Sequence, residues 1–371
     1  MHNKAHKNDG LTMEQLARFR NAELVKRVVE QIRKIAPPYP VKICHVCGTH
    51  EWTISHYGLR SLLPESVDVI AGPGCPVCIV PAAEIDEAIK LALEKNVTIA
   101  SFGDLVRVPA SKMSLQDAKA DGGDVRVVYS ASDAIKMALK EPNRDFALFA
   151  VGFETTAPST AVEVLKKPPT NLSFLVSHRL IPPAMELLLG VGDLHIDGFI
   201  APGHVSTIIG MKPYEMFPRA YRMPTVVAGF EPVDVLFAIS MLLQQIGAKD
   251  AKLENEYSRA VAWDGNLKAQ KLISQVFDVV DGSWRGLGRV SASALALKAE
   301  FEEFDARRKY GVKIAKARDL LPGCLCHLVM IGKIKPPECS LYMKVCTPQT
   351  PQGACMVSME GTCRIWARHK A

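Results

Sequence analysis

Residues 67–102 read VDVIAGPGCPVCIVPAAEIDEAIKLALEKNVTIASF, and they carry the clearest signal for the class of fold. Two short runs rich in β-branched residues, 67–71 and 97–102, flank an amphipathic segment at 82–95. Short apolar runs that alternate with helical segments are typical of strand–helix–strand units, whose parallel strands are covered by helices. The stretch therefore predicts one such unit of a parallel sheet.

The same alternation extends over most of the chain. Further strands are predicted at 41–46, 125–129, 146–151, 172–177, 198–201 and 225–228, and further helices at 132–140, 159–166, 183–189 and 233–246. A preceding helix is predicted over 12–36, because Thr12 and Gln15 fit a capping box and Pro37 and Pro38 end the pattern. Eight strands over this length suit two doubly wound sheets.

The pattern changes after residue 247. Helices are predicted at 254–263, 267–280 and 293–306, with no further strands. From residue 321 the chain is rich in Gly, Pro and Cys, and such a segment needs a staple to fold. The sequence thus predicts an α/β fold in three parts. Two are Rossmann-like parallel-sheet domains at 41–140 and 141–247, and the third is a mainly helical or irregular domain made of 1–40 and 248–371.

Composition narrows the class of protein. The 371 residues are 48% hydrophobic and 23% charged, as in ordinary globular proteins, and the net charge of +6 is scattered, with no basic block. The first residues, MHNKAHKNDG, lack the apolar core of a secretory signal, and the longest apolar runs are too short to cross a bilayer. We predict a cytoplasmic protein that binds neither nucleic acid nor membrane.

Six unusual loops each follow a predicted strand. In open parallel sheets, ligands bind beyond the carboxyl ends of the strands, so these loops are expected to converge on one cleft. None contains a Walker motif or a dinucleotide fingerprint. The loops are CGTHE at 47–51, GPGCPVC at 72–78, SFGD at 101–104, GFETT at 152–156, PGHVS at 202–206 and GFEP at 229–232.

Four of the ten cysteines lie near the N-terminus. Clustered cysteines in a reducing compartment indicate metal ligands or redox thiols. A four-thiolate zinc site is one interpretation, but Cys44 lies inside an apolar strand and is better explained as a buried filler. Cys47, Cys75 and Cys78 remain as a three-thiolate set that suits ferrous iron, copper(I) or zinc. Cys75-Pro-Val-Cys78 before a helix also resembles a thioredoxin-type dithiol.

The other six cysteines lie in the irregular C-terminal segment. Uneven spacing on Gly- and Pro-rich loops is typical of an iron–sulfur cluster held by four thiolates, and zinc is the alternative. Two cysteines would remain, and a pair beside a cluster can carry electrons to or from a disulfide. The six are Cys324, Cys326, Cys339, Cys346, Cys355 and Cys363.

Several motifs, in order over about 41–365, resemble the HypD family of [NiFe]-hydrogenase maturation factors. They are HVCGTH at 45–50, GPGCPVC at 72–78, GFETT at 152–156, APGHVSTIIG at 201–210, AGFEP at 228–232 and CTPQTP with GACMVSMEGTC between 346 and 363. The resemblance implies a scaffold that assembles the Fe(CN)2CO moiety together with a HypC-type chaperone. Cyanide would come from a HypE-type carrier, with a HypF-type partner acting indirectly.

The resemblance also implies roles for particular residues. Cys47, Cys75 and Cys78 correspond to the family's iron- and redox-associated cysteines, and a third domain is expected to hold a [4Fe-4S] cluster. By analogy with ferredoxin:thioredoxin reductase, the expected ligands are Cys324, Cys339, Cys346 and Cys363. Cys326 and Cys355 are then the redox pair that passes electrons towards Cys75 and Cys78. We expect an assembly factor with redox activity rather than a conventional turnover enzyme.

Two histidines are further candidates for the site. His50 and His204 lie in the predicted loops and could bind diatomic ligands by hydrogen bonds or relay protons. The alternative is a purely structural role, in which His204 only satisfies a backbone carbonyl. Glu51 and Trp52 follow CGTH where many relatives have Thr and a small residue, which is expected to alter the cleft wall. Two other functions stay open, a cluster-dependent protein disulfide reductase and a binding module whose loops are stapled by zinc.

Overall fold

The computed structural model describes residues 21–314 and 317–369. The predicted N-terminal helix is present as α1 (Ala22–Ile35). Its start is set by Asn21, whose side chain accepts hydrogen bonds from the backbone N–H groups of Glu23 and Leu24. The capping box predicted at Thr12 and Gln15 lies outside the described residues.

All eight predicted strands are confirmed, and three more follow them. The strands are β1 (Val41–His45), β2 (Val67–Ala71), β3 (Thr98–Ser101), β4 (Val125–Val127), β5 (Phe146–Gly152), β6 (Leu172–His178), β7 (Gly198–Pro202), β8 (Thr225–Ala228), β9 (Leu253–Asn255), β10 (Phe277–Trp284) and β11 (Gly288–Leu297).

The five helices predicted between residues 82 and 246 are present, and the described chain between β1 and β8 forms five further α-helices that the sequence did not predict. After α1 the α-helices are α2 (Gly48–His56), α3 (Ala82–Glu94), α4 (Gly103–Val106), α5 (Leu115–Ala120), α6 (Ala131–Lys140), α7 (Ala157–Leu165), α8 (Ile181–Leu189), α9 (Gly203–Ile209), α10 (Met216–Tyr221), α11 (Pro232–Ala248), α12 (Leu267–Val276), α13 (Ala306–Tyr310), α14 (Cys326–Met330), α15 (Ala354–Val357) and α16 (Thr362–His369). Within the described part of the chain, no helix has the length and apolar character needed to cross a membrane.

Two parallel sheets form the centre of the fold. One has the strand order β2-β1-β7-β8-β9 and the other β4-β3-β5-β6. In the first sheet Ile43 pairs with Val69 on one side and with Gly198 on the other. The strands are buried almost throughout, as β5 and β6 are at every position, because helices cover both faces. The predicted α/β class with parallel, Rossmann-like sheets is confirmed.

The sheets are not consecutive in sequence. The chain leaves the first sheet after β2, builds β3 to β6 as the second sheet, and returns at β7. The predicted boundary between residues 140 and 141 falls between β4 and β5, which lie in one sheet, so it does not separate the two sheets. Alternating apolar runs predict that strands exist, but their pairing depends on packing across the whole fold.

The prediction for the region after residue 247 was wrong in part. Residues 253–255 form β9, and β10 and β11 form an antiparallel hairpin where helices were predicted to continue. The turn contains Gly286 and Gly288, both with positive φ. Arg179 anchors the hairpin by donating from Nε to the carbonyl of Ser283 at 3.1 Å. Tertiary contacts of this kind override local helical periodicity.

Candidate thiol and metal centre

Cys47 lies at the start of a helix that follows the first strand. It has an extended conformation, and α2 begins at the next residue. Burial raises the pKa of the Cys47 thiol to about 11, although the backbone N–H groups of His50 and Thr49 favour its thiolate. The carboxylate of Glu360 raises this pKa further. Cys47 is therefore a protonated thiol near neutral pH, and it becomes a thiolate when a metal ion displaces the proton.

Glycine brings the GPGCPVC loop against Cys47. A Cβ atom on Gly74 would lie 2.3 Å from the backbone nitrogen of Cys47, so no larger residue fits without displacing the loop. The N–H of Gly48 donates to the carbonyl of Gly74 at 3.3 Å. The close approach of these two backbones places Cys75 and Cys78 beside Cys47.

Cys75 and Cys78 are joined by a disulfide. Both are buried, and the N–H of Cys78 donates to the Cys75 sulfur at 3.2 Å. This is the oxidised form of the predicted dithiol. Two of the three cysteines in the predicted iron-binding set are thus bonded to each other through their sulfurs. Cys47 carries the remaining free thiol of that set.

The C-terminal segment closes the same site. A small cavity is lined by Cys47, Cys75, Cys78 and Cys355, and we call it the thiol cavity. The Cys78 sulfur lies 3.9 Å from the carbonyl oxygen of Ala354. Cysteines separated by about 280 positions in the sequence therefore meet at one point of the fold.

Five of the six C-terminal cysteines line a second small cavity, which we call the cysteine cage. Its other walls include Leu341, Tyr342 and Met356. Cys355 is not among its lining residues, but its sulfur accepts the N–H of Cys363 at 3.2 Å, so the two cavities are adjacent. The five cysteines are Cys324, Cys326, Cys339, Cys346 and Cys363.

The donor set of the cysteine cage fits a [4Fe-4S] cluster. Such a cluster needs four thiolates, apolar surroundings and hydrogen bonds to sulfur, and Gln352 donates its N–H to the Cys346 sulfur at 3.3 Å. In the described ranges no three His, Cys, Asp or Glu side chains converge as ligands of a single ion. A hydrogen bond with Cys326 lowers the pKa of Cys324 to about 7, so these two thiols are in contact.

His50 and His204 lie on either side of one phenylalanine. The Phe230 ring stacks on His50 at 4.9 Å and on His204 at 3.8 Å between ring centroids. His50 Nε2 donates to the carbonyl of Gly229 at 2.8 Å, and burial, the largest cause, lowers its pKa to about 3. Neither histidine is among the residues that line the thiol cavity.

Two further residues line the thiol cavity, His45 and Glu360, and neither was predicted from the sequence as a site residue. His45 precedes Cys47 by two positions, and residues two apart on a strand share a face, so this signal was present in the sequence. His45 Nε2 lies 2.9 Å from the carboxylate of Glu51. Glu360 carried no comparable signal, because tertiary packing alone brings it against Gly48.

Glu51 is the centre of a buried polar network. Its carboxylate accepts two hydrogen bonds from Arg60, at 2.8 and 2.7 Å, and one from the Trp366 indole at 2.9 Å. Arg60 holds the pKa of Glu51 well below its ordinary value despite the opposing effect of full burial. Glu51 therefore connects α2, which starts beside Cys47, to α16, which carries Cys363.

The predicted convergence of the six loops holds for some of them. The loops after β1, β2 and β8 are in contact, and Asp104 in the loop after β3 accepts the N–H of Met359 at 2.8 Å. Glu154, in the loop after β5, lines a different and larger cavity. The thiol centre is thus built by one sheet's loops together with the C-terminal segment.

The fold and site define an α/β protein with two parallel sheets and two adjoining groups of buried cysteines. Comparison with known proteins identifies the family to which this protein belongs. The profile of HypD, described as the hydrogenase formation hypA family, matches residues 23–370. The chain belongs to the HypD family of hydrogenase maturation factors.

Curated relatives match over almost their whole length. A putative hydrogenase expression/formation protein of Methanocaldococcus jannaschii is 46% identical, over 94% of this chain and 97% of the relative. Hydrogenase maturation factor HypD of Cupriavidus necator is 45% identical, over 95% of this chain and 96% of the relative. HypD of Rhizobium leguminosarum bv. viciae is 43% identical, over 96% of this chain and 95% of the relative.

Proposed function

We propose that this protein, together with a HypC-type chaperone, is the scaffold on which the Fe(CN)2CO moiety of [NiFe]-hydrogenase is assembled, with cyanide delivered by a HypE-type carrier. The observation that carries the proposal is the thiol cavity, in which Cys47, the Cys75–Cys78 pair and Cys355 meet. A free thiol for the iron and a redox-active pair are thereby placed side by side. The resemblance of the motifs to the HypD family supports the same function.

In this proposal Cys47 holds the iron that is being assembled. Its buried thiol loses a proton when ferrous iron binds, and the N–H groups of Thr49 and His50 at the start of α2 support the thiolate. Cys75 or Cys78, once reduced, supplies a second thiolate, and a cysteine of the partner protein a third. Thiolates donate charge to the iron, which strengthens its bonds to CO and cyanide.

The Cys326 and Cys355 thiols reduce the Cys75–Cys78 disulfide. The Cys355 thiolate attacks one sulfur of that disulfide and forms a mixed disulfide, and the other sulfur leaves as a thiolate. The Cys326 thiolate then attacks Cys355 and forms a Cys326–Cys355 disulfide. Two electrons and two protons have then moved from the Cys326 and Cys355 thiols to the Cys75–Cys78 disulfide, so Cys75 and Cys78 are both thiols. The position of Cys355 in the thiol cavity supports this route.

Cys324, Cys339, Cys346 and Cys363 would hold a [4Fe-4S] cluster, which supplies single electrons when bound. The contribution of the chain is to separate two environments. The cysteine cage has Leu341, Tyr342 and Met356 in its walls, whereas Glu360 and His45 line the thiol cavity. The N–H of Cys363 fixes the Cys355 sulfur at the boundary between them.

The proposal is tested by anaerobic purification of the protein with its chaperone, followed by infrared spectroscopy of the CO and CN stretching region. Iron and sulfide are assayed on the same sample. We expect CO and CN bands, roughly four irons from the cluster, and a further fraction from the assembled iron. A colourless zinc protein without bands contradicts the proposal.

A second candidate function is a cluster-dependent protein disulfide reductase. The Cys75–Cys78 disulfide beside Cys355 favours it, because this arrangement also suits reduction of a partner's disulfide. A brown protein that lacks CO and CN bands but reduces a protein disulfide would replace the scaffold function with this one.

A further inference from the structure

A large cavity lies apart from the cysteines. Its volume is about 430 Å³, which is within the usual range for small-molecule sites. It lies beyond the carboxyl ends of β5 and β6, where ligands bind in open parallel sheets, and α8, α12 and the β10–β11 hairpin surround it. Most of its walls are apolar, including Leu180, Pro182, Pro183, Ile209, Ile273 and Leu295.

Glu154 is the buried carboxyl group of this cavity. Its side chain is 3% exposed, and Oε1 accepts the N–H of Ile181, the first residue of α8, at 2.9 Å. Its Oε2 atom is buried with no hydrogen-bond partner among the described residues. Oε1 of Glu154 thus caps the start of α8, whereas Oε2 has no hydrogen bond to a described residue.

Glu154 differs from the other fully buried carboxylates in the described part of the chain. Each of the others forms an ion pair with an arginine, whereas no cation of the described residues lies within ion-pair distance of Glu154. Burial raises the pKa of Glu154 to about 7, and a cation beside it would favour the ionised carboxylate, but none of the described residues supplies one. The paired acids are Glu51 with Arg60, Glu87 with Arg307 and Asp234 with Arg259.

No described residue of the cavity wall supplies a cation to Glu154. Lys298 lines the cavity, but its Nζ donates to the carbonyl of Ser274 at 2.5 Å. The helix start offers little to an anion either, because Pro182 and Pro183 have no N–H and the N–H of Ile181 is already bound by Glu154. The polar character of the cavity therefore favours a positively charged ligand.

We propose that this cavity is a binding site for a small organic amine, whose ammonium group pairs with Glu154 and whose apolar body packs against Ile273 and Leu295. The site is independent of the thiol cavity and of the assembly function proposed above. The ligand supplies from outside the chain the counter-ion that arginine supplies to the other buried acids.

The test uses two probes of nearly equal shape on the full-length protein. Saturation-transfer NMR titrations compare 2-phenylethylamine with 2-phenylethanol, which lacks the charge. We expect the amine to bind at least about tenfold more tightly than the alcohol. Equal affinities, or no binding of the amine, would overturn the proposal.

Three variants locate the binding. Glu154→Gln keeps an acceptor for the N–H of Ile181 and removes the charge, so the amine should lose at least about tenfold in affinity while the alcohol is unaffected. Ile273→Trp fills the mouth from a half-buried position and should abolish binding of both probes. Glu303→Gln, an exposed site, is the matched control and should change neither affinity. Amine binding that survives both Glu154→Gln and Ile273→Trp places the amine elsewhere and rejects the site.

Discussion

The indole Nε1 of Trp366 donates a hydrogen bond of 2.9 Å to the buried carboxylate of Glu51. This bond joins the helix that starts beside Cys47 to the helix that carries Cys363. The Arg60 guanidinium bonds the same carboxylate and lies 5.0 Å from the centre of the Trp366 ring. One acidic side chain thus fixes the thiol cavity relative to the cysteine cage.

The first prediction concerns this carboxylate. Glu51→Gln removes the charge that pairs with Arg60, and breaking a partly buried pair of this kind should lower the free energy of unfolding by about 3 kcal/mol. Denaturant unfolding at pH 7 measures the change. Asp193→Asn, which removes an exposed pairing with Lys333, is the control and should change stability little. Equal effects of the two substitutions would refute the role given to Glu51.

The second prediction is the pH dependence of that contribution. Because Arg60 holds the folded-state pKa of Glu51 below its unfolded value, the stabilisation is fully present above about pH 4.3 and is lost as pH falls towards the folded-state pKa. The stability difference between the wild type and Glu51→Gln should therefore shrink on acidification below pH 4. Unfolding curves between pH 7 and pH 3 check this, and a difference that grows in acid contradicts it.

The third prediction concerns the different roles of Cys44 and Cys47. Cys47→Ala should abolish hydrogenase maturation and the CO and CN infrared bands, with the fold intact by circular dichroism. Cys44→Ala removes a fully buried sulfur that lies in the apolar core, and maturation should persist with some loss of stability. Hydrogenase maturation supported by the Cys47→Ala protein would contradict the iron-binding role of this residue.

The fourth prediction distinguishes the two cavities. Cys355→Ser should leave the iron and sulfide content unchanged but prevent reduction of the Cys75–Cys78 disulfide, because Cys355 lies in the thiol cavity. Cys339→Ser should instead lower the iron and sulfide content, since Cys339 lines the cysteine cage. Thiol alkylation with mass spectrometry and elemental assays measure both effects. Loss of iron and sulfide in Cys355→Ser would assign this residue to the cluster.

The fifth prediction tests the contact between the two loops. Gly74→Ala places a Cβ atom 2.3 Å from the backbone nitrogen of Cys47, so the loops must separate, and stability should fall by about 1–3 kcal/mol with loss of bound iron. Gly192→Ala is the control, because no atom lies within 4 Å of its added Cβ. Unfolding experiments and iron assays measure the stability and the bound iron of both variants. Similar values for the two variants would contradict the role given to the contact between Gly74 and Cys47.

Part of the fold could be predicted because its signals are local. The run at 146–151 is apolar at every position, as a strand buried on both faces must be, and it forms β5. The hairpin of β10 and β11 was missed because the adjacent residues Val279 and Val280 are both exposed, so the run lacks clean alternation of buried and exposed positions. The first sheet was divided wrongly because β1 pairs with β7 across about 155 residues, and no local pattern encodes that contact.

The α/β class, the positions of eight strands and the presence of two separated groups of cysteines follow from the sequence alone, because periodicity and residue chemistry are properties of neighbours in the chain. Three relationships exist only in the tertiary structure: Cys355 lines a cavity with Cys47, Glu51 bonds Trp366, and Glu154 lies in a separate cavity with no cation of the described residues within ion-pair distance. These relationships join residues that are distant in the chain, and they arise when apolar burial brings the C-terminal segment and the hairpin against the sheets.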